Sequence, residues 1–224
     1  MRRFLKENGL SLFFLALFLV TIIGQSFAGW FDFNQEQRDH GSPTYSYWRF
    51  VASSHFGGAV LENWQSEWLQ FLVFTMAAIW LLQKGSNESK KLEEAGMESP
   101  QKQRIGKHAG PRSPRWARYG DWRTHVYANS FLIAMALIFL GTWAGQSVTN
   151  WTQHNEEQID HNGTSIPWST YIHTADFWEK TLQNWQSEFL AVGVMVIFTV
   201  YLRQRGSPES KPVGAAHDET GTSG

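Results

Sequence analysis

Residues 63–82 read NWQSEWLQFLVFTMAAIWLL, and residues 184–202 read NWQSEFLAVGVMVIFTVYL. Each stretch opens on one pentapeptide, Asn63-Trp64-Gln65-Ser66-Glu67 or Asn184-Trp185-Gln186-Ser187-Glu188, and then runs apolar. A bilayer core of about 30 Å needs about 20 helical residues, so spans are expected at about 66–82 and 187–202. The two pentapeptides lie 121 residues apart, and sliding the whole chain by that offset aligns it with itself without a gap. Between Arg2 and Lys90, 30 of 89 pairs are identical. Gly24-Gln25-Ser26 falls on Gly145-Gln146-Ser147, Trp30 on Trp151, Asp39-His40 on Asp160-His161, and Glu88-Ser89-Lys90 on Glu209-Ser210-Lys211. The chain reads as two copies of one unit.

Upstream of each pentapeptide lies another apolar segment, at about 10–28 and 129–148. The first has a rival reading. Arg2, Arg3 and Lys6, an apolar run, then Ser26-Phe27-Ala28 resemble a secretory signal. The recurrence of the same segment at mid-chain argues for a span. The expected fold is an all-α membrane protein with four transmembrane helices, arranged as two tandem parallel-repeat helical hairpins. Two spans per copy insert both copies the same way up. The expected organisation is a first hairpin over 1–83, a disordered basic linker over 84–121, a second hairpin over 122–204 and a disordered tail over 205–224. Sixteen Lys and Arg fall in the N-terminal flank, the central connection and the C-terminal flank, and only Arg38, Arg49 and Lys180 fall in the hairpin loops. That asymmetry places both termini and the linker in the cytoplasm.

The whole-chain averages hide this pattern. The chain has 224 residues and a formal charge of −1, with a mean hydropathy of −0.33, values an ordinary soluble protein would show. With no cysteine there is no disulfide, thiolate metal site or cysteine nucleophile. The near-zero charge argues against a nucleic-acid partner. Twelve Trp is a large excess. Eight of them (Trp30, Trp48, Trp64, Trp68, Trp151, Trp168, Trp178 and Trp185) fall in the hairpin loops or the adjoining span ends, as an interfacial aromatic belt would.

Helical spacing gathers polar residues at the outer ends of the spans. Thr21 and Gln25 share a face with Gly24, as do Thr142 and Gln146 with Gly145, and Ser26 and Ser147 adjoin them. On the second spans Asn63, Ser66 and Glu67 share a face, as do Asn184, Ser187 and Glu188. One reading is interhelical glue, with the glycines allowing close approach. The other is a path for an ion or small solute, with Glu67 and Glu188 facing each other as a pseudo-symmetric pair. Asp39-His40 and Asp160-His161 offer imidazole and carboxylate for a metal, but adjacent Asp-His is not a specific ligand spacing, and a loop anchor or helix N-cap is the expected role. No nucleotide loop, nucleophile elbow or zinc-protease helix appears, so no cofactor is expected and enzyme activity is the lesser alternative.

On its doubled Gly-Gln-Ser and Asn-Trp-Gln-Ser-Glu motifs, the chain resembles a bacterial integral-membrane family catalogued only as a domain of unknown function. The resemblance implies an inner-membrane location and brings no activity or ligand. The expected function is structural, through outer loops that meet a partner. A small channel or transporter is the alternative, and a membrane enzyme or metal-binding envelope sensor the second alternative. The expected partners are the lipid bilayer and a second copy in a homo-oligomer.

Overall fold

The computed structural model describes residues 2–223, which contain helices, turns and no strand. In chain order the helices are α1 (Arg2–Glu7), α2 (Gly9–Asp39), α3 (Tyr47–Val51), α4 (Ser54–Ala77), α5 (Arg115–Tyr119), α6 (Trp122–Ala128), α7 (Ser130–Asp160), α8 (Trp168–Tyr171) and α9 (Ala175–Tyr201). Helices α2 and α7 each have 31 residues and begin and end 121 residues apart. Among the described residues, these two are long and apolar enough to cross a membrane.

Both helices outrun the apolar segments that mark them. At 1.5 Å per residue, 31 residues reach about 46 Å, well past a 30 Å core. The polar stretches from Trp30 and Trp151, expected to open the loops, are helical to Asp39 and Asp160. Glu, Gln and Arg there are good helix formers, and no proline interrupts before Pro43 or Pro167. Each helix then stops in one and the same way. Gly41 takes φ +66° and Asn162 φ +61°, the left-handed geometry that Gly and Asn tolerate. The amides of Gly41 and Ser42 bond the carbonyls of Arg38 and Gln37, and those of Asn162 and Gly163 bond Ile159 and Gln158. The non-helical connections shrink to 40–46 and 161–167.

Other boundaries differ from expectation too. Helix α4 begins twelve residues before the expected span, with the Ser53 hydroxyl accepting from the Phe56 amide. It ends at Ala77, short of Leu82, and the Ile79 carbonyl is taken by the Gly96 amide at 2.7 Å. Helix α9 is capped by Thr174, whose hydroxyl accepts from the Phe177 amide. The stretch 84–121, expected to be a disordered linker, holds two 3-10 turns (Leu92–Glu94 and Gly106–His108) and α5. Its Arg118 guanidinium ties down the carbonyls of Pro111 and Ser113.

The chain forms two compact units. The first comprises Met1–Val60 and Gln146–Trp168, and the second Leu61–Gly145 and Ser169–Gly224. In the first, Phe33 and Phe50 are buried together, their rings 5.6 Å apart. In the second, Tyr171 is fully buried against Phe177, with Leu69, Phe139 and Val200 also buried. Close approach through the paired glycines holds for one of them. A Cβ on Gly145 would stand 2.9 Å from Leu61 Cδ1, whereas one on Gly24 would meet open space. Gly145→Val is therefore expected to cost about 1–3 kcal/mol through overpacking. Gly24→Val is expected to be neutral or slightly stabilising, because glycine carries an entropic penalty in a helix. Thermal unfolding of the two variants side by side checks the contrast.

Candidate functional site

The reversals at the ends of α2 and α7 are built alike, and each lies within the first unit. Trp30 Nε1 donates to the Tyr45 carbonyl at 2.7 Å, and Asn34 Nδ2 donates to that same oxygen at 2.8 Å. Asn34 Oδ1 in turn accepts from the Tyr45 amide at 2.6 Å. At the other reversal Trp151 Nε1 donates to the Ile166 carbonyl at 2.7 Å, Asn155 Nδ2 at 3.0 Å, and Asn155 Oδ1 accepts from the Ile166 amide at 2.9 Å. One asparagine side chain thus does for a loop residue what a neighbouring strand would do. Asn34 is buried. The sequence reading paired the tryptophans and missed Asn34 and Asn155. The signal was there, since Trp-x-x-x-Asn recurs at the 121-residue offset and an i, i+4 pair shares a helix face.

Beside each clamp a serine takes an aromatic donor. Ser26 Oγ donates to the Ile23 carbonyl, so Tyr47 OH donates to Ser26 at 2.8 Å. Trp168 Nε1 donates to Ser147 Oγ at 3.1 Å. Arg49 lies 3.7 Å above the Tyr45 ring, a cation–π contact. Asp39 and Asp160 are exposed at the helix ends. His40 Nδ1 meets the Glu36 carbonyl at 2.9 Å, and His161 Nδ1 meets the Glu157 carbonyl at 2.8 Å. A carbonyl only accepts, so both rings donate there and cap helix C-termini rather than N-termini. No cluster of three metal-ligating side chains occurs among the described residues.

The start of α4 and the second half of α7 also meet within the first unit. His55 Nε2 lies 3.0 Å from Glu156 Oε2, and Gln153 Nε2 donates to the Ser54 carbonyl at 2.8 Å. Gly57 and Gly58 make room, since a Cβ on Gly58 would strike the Gln153 amide. The matching positions in the second copy are Trp178 and Glu179, which give no such room. Gln146 is fully buried, and neither end of its amide finds a hydrogen-bond partner among the described residues. Thr21 and Gln25, the matching positions to Thr142 and Gln146, are exposed. Thr21 and Thr142 both bond back to carbonyls of their own helices, Leu17 and Ile138.

In the second unit the pentapeptides separate in role. Trp185 Nε1 donates to Gln65 Oε1 at 2.7 Å, and Gln65 is fully buried. Trp185 also joins Phe139, Phe177 and Trp178 around Trp143, with ring centroids 5.6–6.2 Å from it. Trp143 and Trp185, read as part of a surface belt or close to it, are therefore partly turned inward, while Trp48 is 76% exposed. Ser66 and Ser187 bond the carbonyls of Asn63 and Asn184, and Asn184 bonds Lys180. Glu67 is exposed and Glu188 half-buried.

The helices α4 and α9 run into a second matched pair of loops, also in the second unit. Gln83 N donates to Ser89 Oγ and Gln204 N to Ser210 Oγ, at 2.9 and 2.8 Å. Glu88 N donates to Ser86 Oγ and Glu209 N to Ser207 Oγ, at 3.1 and 3.2 Å. Gly85 and Gly206 both adopt positive φ. Lys211 is buried, its ammonium shared by the carbonyls of Ala216, His217 and Glu219 at 3.0–3.1 Å.

Two predictions follow from these geometries. Asn34→Ala and Asn155→Ala each remove two bonds and leave the amide of Tyr45 or Ile166 unsatisfied, its carbonyl still held by Trp30 or Trp151. Each is expected to cost about 1–3 kcal/mol in thermal unfolding. Burial, then repulsion and a shared hydrogen bond with Glu209, hold the Glu88 carboxyl above its ordinary value. Its proton is bound more tightly when folded, so its contribution is full below the unfolded value of 4.5 and is lost as pH rises through the folded one. Glu88→Gln is therefore expected to raise Tm at pH 7, with the gain fading as pH falls toward 4.5 and absent below it.

A family model described as "Domain of unknown function (DUF6766)" matches residues 1–222. No curated protein and no solved structure matches the chain. The chain belongs, over nearly its whole length, to the DUF6766 family.

Proposed function

We propose that the protein is a four-span membrane protein of the bacterial inner membrane, built as two tandem hairpins. Both termini and the 84–121 connection face the cytoplasm, and its role is structural, exerted through the outer reversals. What carries this reading is the use made of the polar side chains at those reversals. Trp30 and Asn34 are committed to Tyr45, Trp151 and Asn155 to Ile166, and Ser26 and Ser147 to Tyr47 and Trp168. A solute path needs polar groups that are free to exchange partners. A docking platform needs the opposite, a fixed loop with exposed aromatic surface, and Trp48 and Trp168 supply it. The sixteen-to-three distribution of Lys and Arg supports the orientation.

Transport is the second reading, and the matched carboxylates Glu67 and Glu188 at the starts of the second spans favour it. The two readings separate in one set of experiments. Because the chain has no cysteine, single cysteines at Ser42, Thr164 and Ser99 report topology cleanly. A membrane-impermeant maleimide on intact cells is expected to label the first two and spare the third. Labelling at Ser99 overturns the topology. In proteoliposomes the structural reading expects no ion or proton flux. Flux that is abolished by Glu67→Gln with Glu188→Gln, in a protein of unchanged assembly, establishes the transport reading instead.

A further inference from the structure

The second unit contains a cavity of about 1140 Å3, bounded by the end of α4, residues 90–114, α6 and the start of α7. Ile79, Phe131 and Leu132 form an apolar part of its lining. Phe131 is 55% exposed, so this apolar wall reaches the surface of α7. The lining also carries charge. Lys90 is spent, since its ammonium bonds the Gly96 carbonyl and pairs with Glu98 at 3.4 Å. Arg104 and Arg112 also border the cavity, and neither finds a carboxylate among the described residues. Arg104 is held there at φ +53°, a left-handed conformation that costs energy for a residue with a Cβ. Next to the cavity, Trp116 and Trp122 touch edge to face and are 43% and 63% exposed, as side chains at a membrane interface are.

We propose that this cavity binds the headgroup of an anionic phospholipid, its phosphate on Arg104 and Arg112 and its glycerol and upper acyl chains on the apolar wall. Guanidinium matches phosphate with paired donors. A free phosphate would have no use for the apolar wall, and a zwitterionic lipid would bring its own ammonium cation beside the two guanidiniums, which repel it. Basic pockets where helices leave the cytoplasmic side of a bilayer suit such headgroups. The proposal rests on the topology given above, which puts this end of the second unit at the cytoplasmic leaflet.

The test uses the full chain in detergent micelles doped with phosphatidylglycerol or phosphatidylcholine, read by tryptophan fluorescence during heating. A micelle has no sides, so a wrong topology shows in the maleimide labelling and a wrong site shows here. Phosphatidylglycerol is expected to raise Tm in a saturable way, and phosphatidylcholine is not. Arg104→Ala with Arg112→Ala is expected to raise the half-saturating concentration about tenfold or more, with Tm in phosphatidylcholine unchanged. Lys107→Ala with Arg115→Ala removes the same charge outside the cavity and is expected to leave the titration as it is. Equal loss in both double variants means diffuse surface attraction and overturns the site. A Tm rise with inorganic phosphate alone, as large as that with lipid, overturns the lipid assignment.

Discussion

A chain that reverses direction between two helices must satisfy its turning peptide groups without a neighbouring strand. Here one asparagine does so at each reversal, holding both the amide and the carbonyl of a single loop residue. Much else follows from that bond. It needs the asparagine on the helix itself, and α2 and α7 run about three turns further than their apolar segments. It needs a short loop, and the left-handed residues Gly41 and Asn162 provide one. It leaves the neighbouring aromatic rings to pack along the helix, where Phe33 meets Tyr45, Phe50 and His55.

The helical class and the 121-residue offset were legible because both are periodic, and periodic signals survive without coordinates. Element ends were read less well, for a physical reason. Apolar pattern marks where a helix is in an apolar setting, not where it stops. Gln37 and Arg38 are as helical as Leu17, yet they looked like loop because they are polar. The stretch from 84 to 121 looked disordered by composition, but its order comes from capping hydrogen bonds such as those of Arg118, which composition does not register. Among the candidate residues, helical spacing correctly put Thr142 and Gln146 on one face, and both are buried. It gave the same answer for Thr21 and Gln25, which are exposed, because spacing says which residues share a face and nothing of what that face meets.

The two ends of the second unit use polar groups differently. Near the pentapeptides, buried polar side chains find partners within the protein, as Gln65 does in Trp185. At the loop after α9, backbone carbonyls gather the Lys211 ammonium. The aromatic side chains divide along the same line. Trp143 and Trp185 are turned partly inward, and Trp116 and Trp122 stay at the surface beside basic chain.

Gly57-Gly58 in the first copy and Trp178-Glu179 in the second occupy matching positions, yet only the glycines admit a neighbouring helix. The copies have become complementary halves rather than spare parts. A protein assembled from two first copies would have small residues with nothing bulky to fill beside Trp143, and one assembled from two second copies would have no seat for Gln153. Matching positions of the sequence thus do different work in the two halves: Gly58 leaves space that the Gln153 amide fills, and Trp178 packs on Trp143.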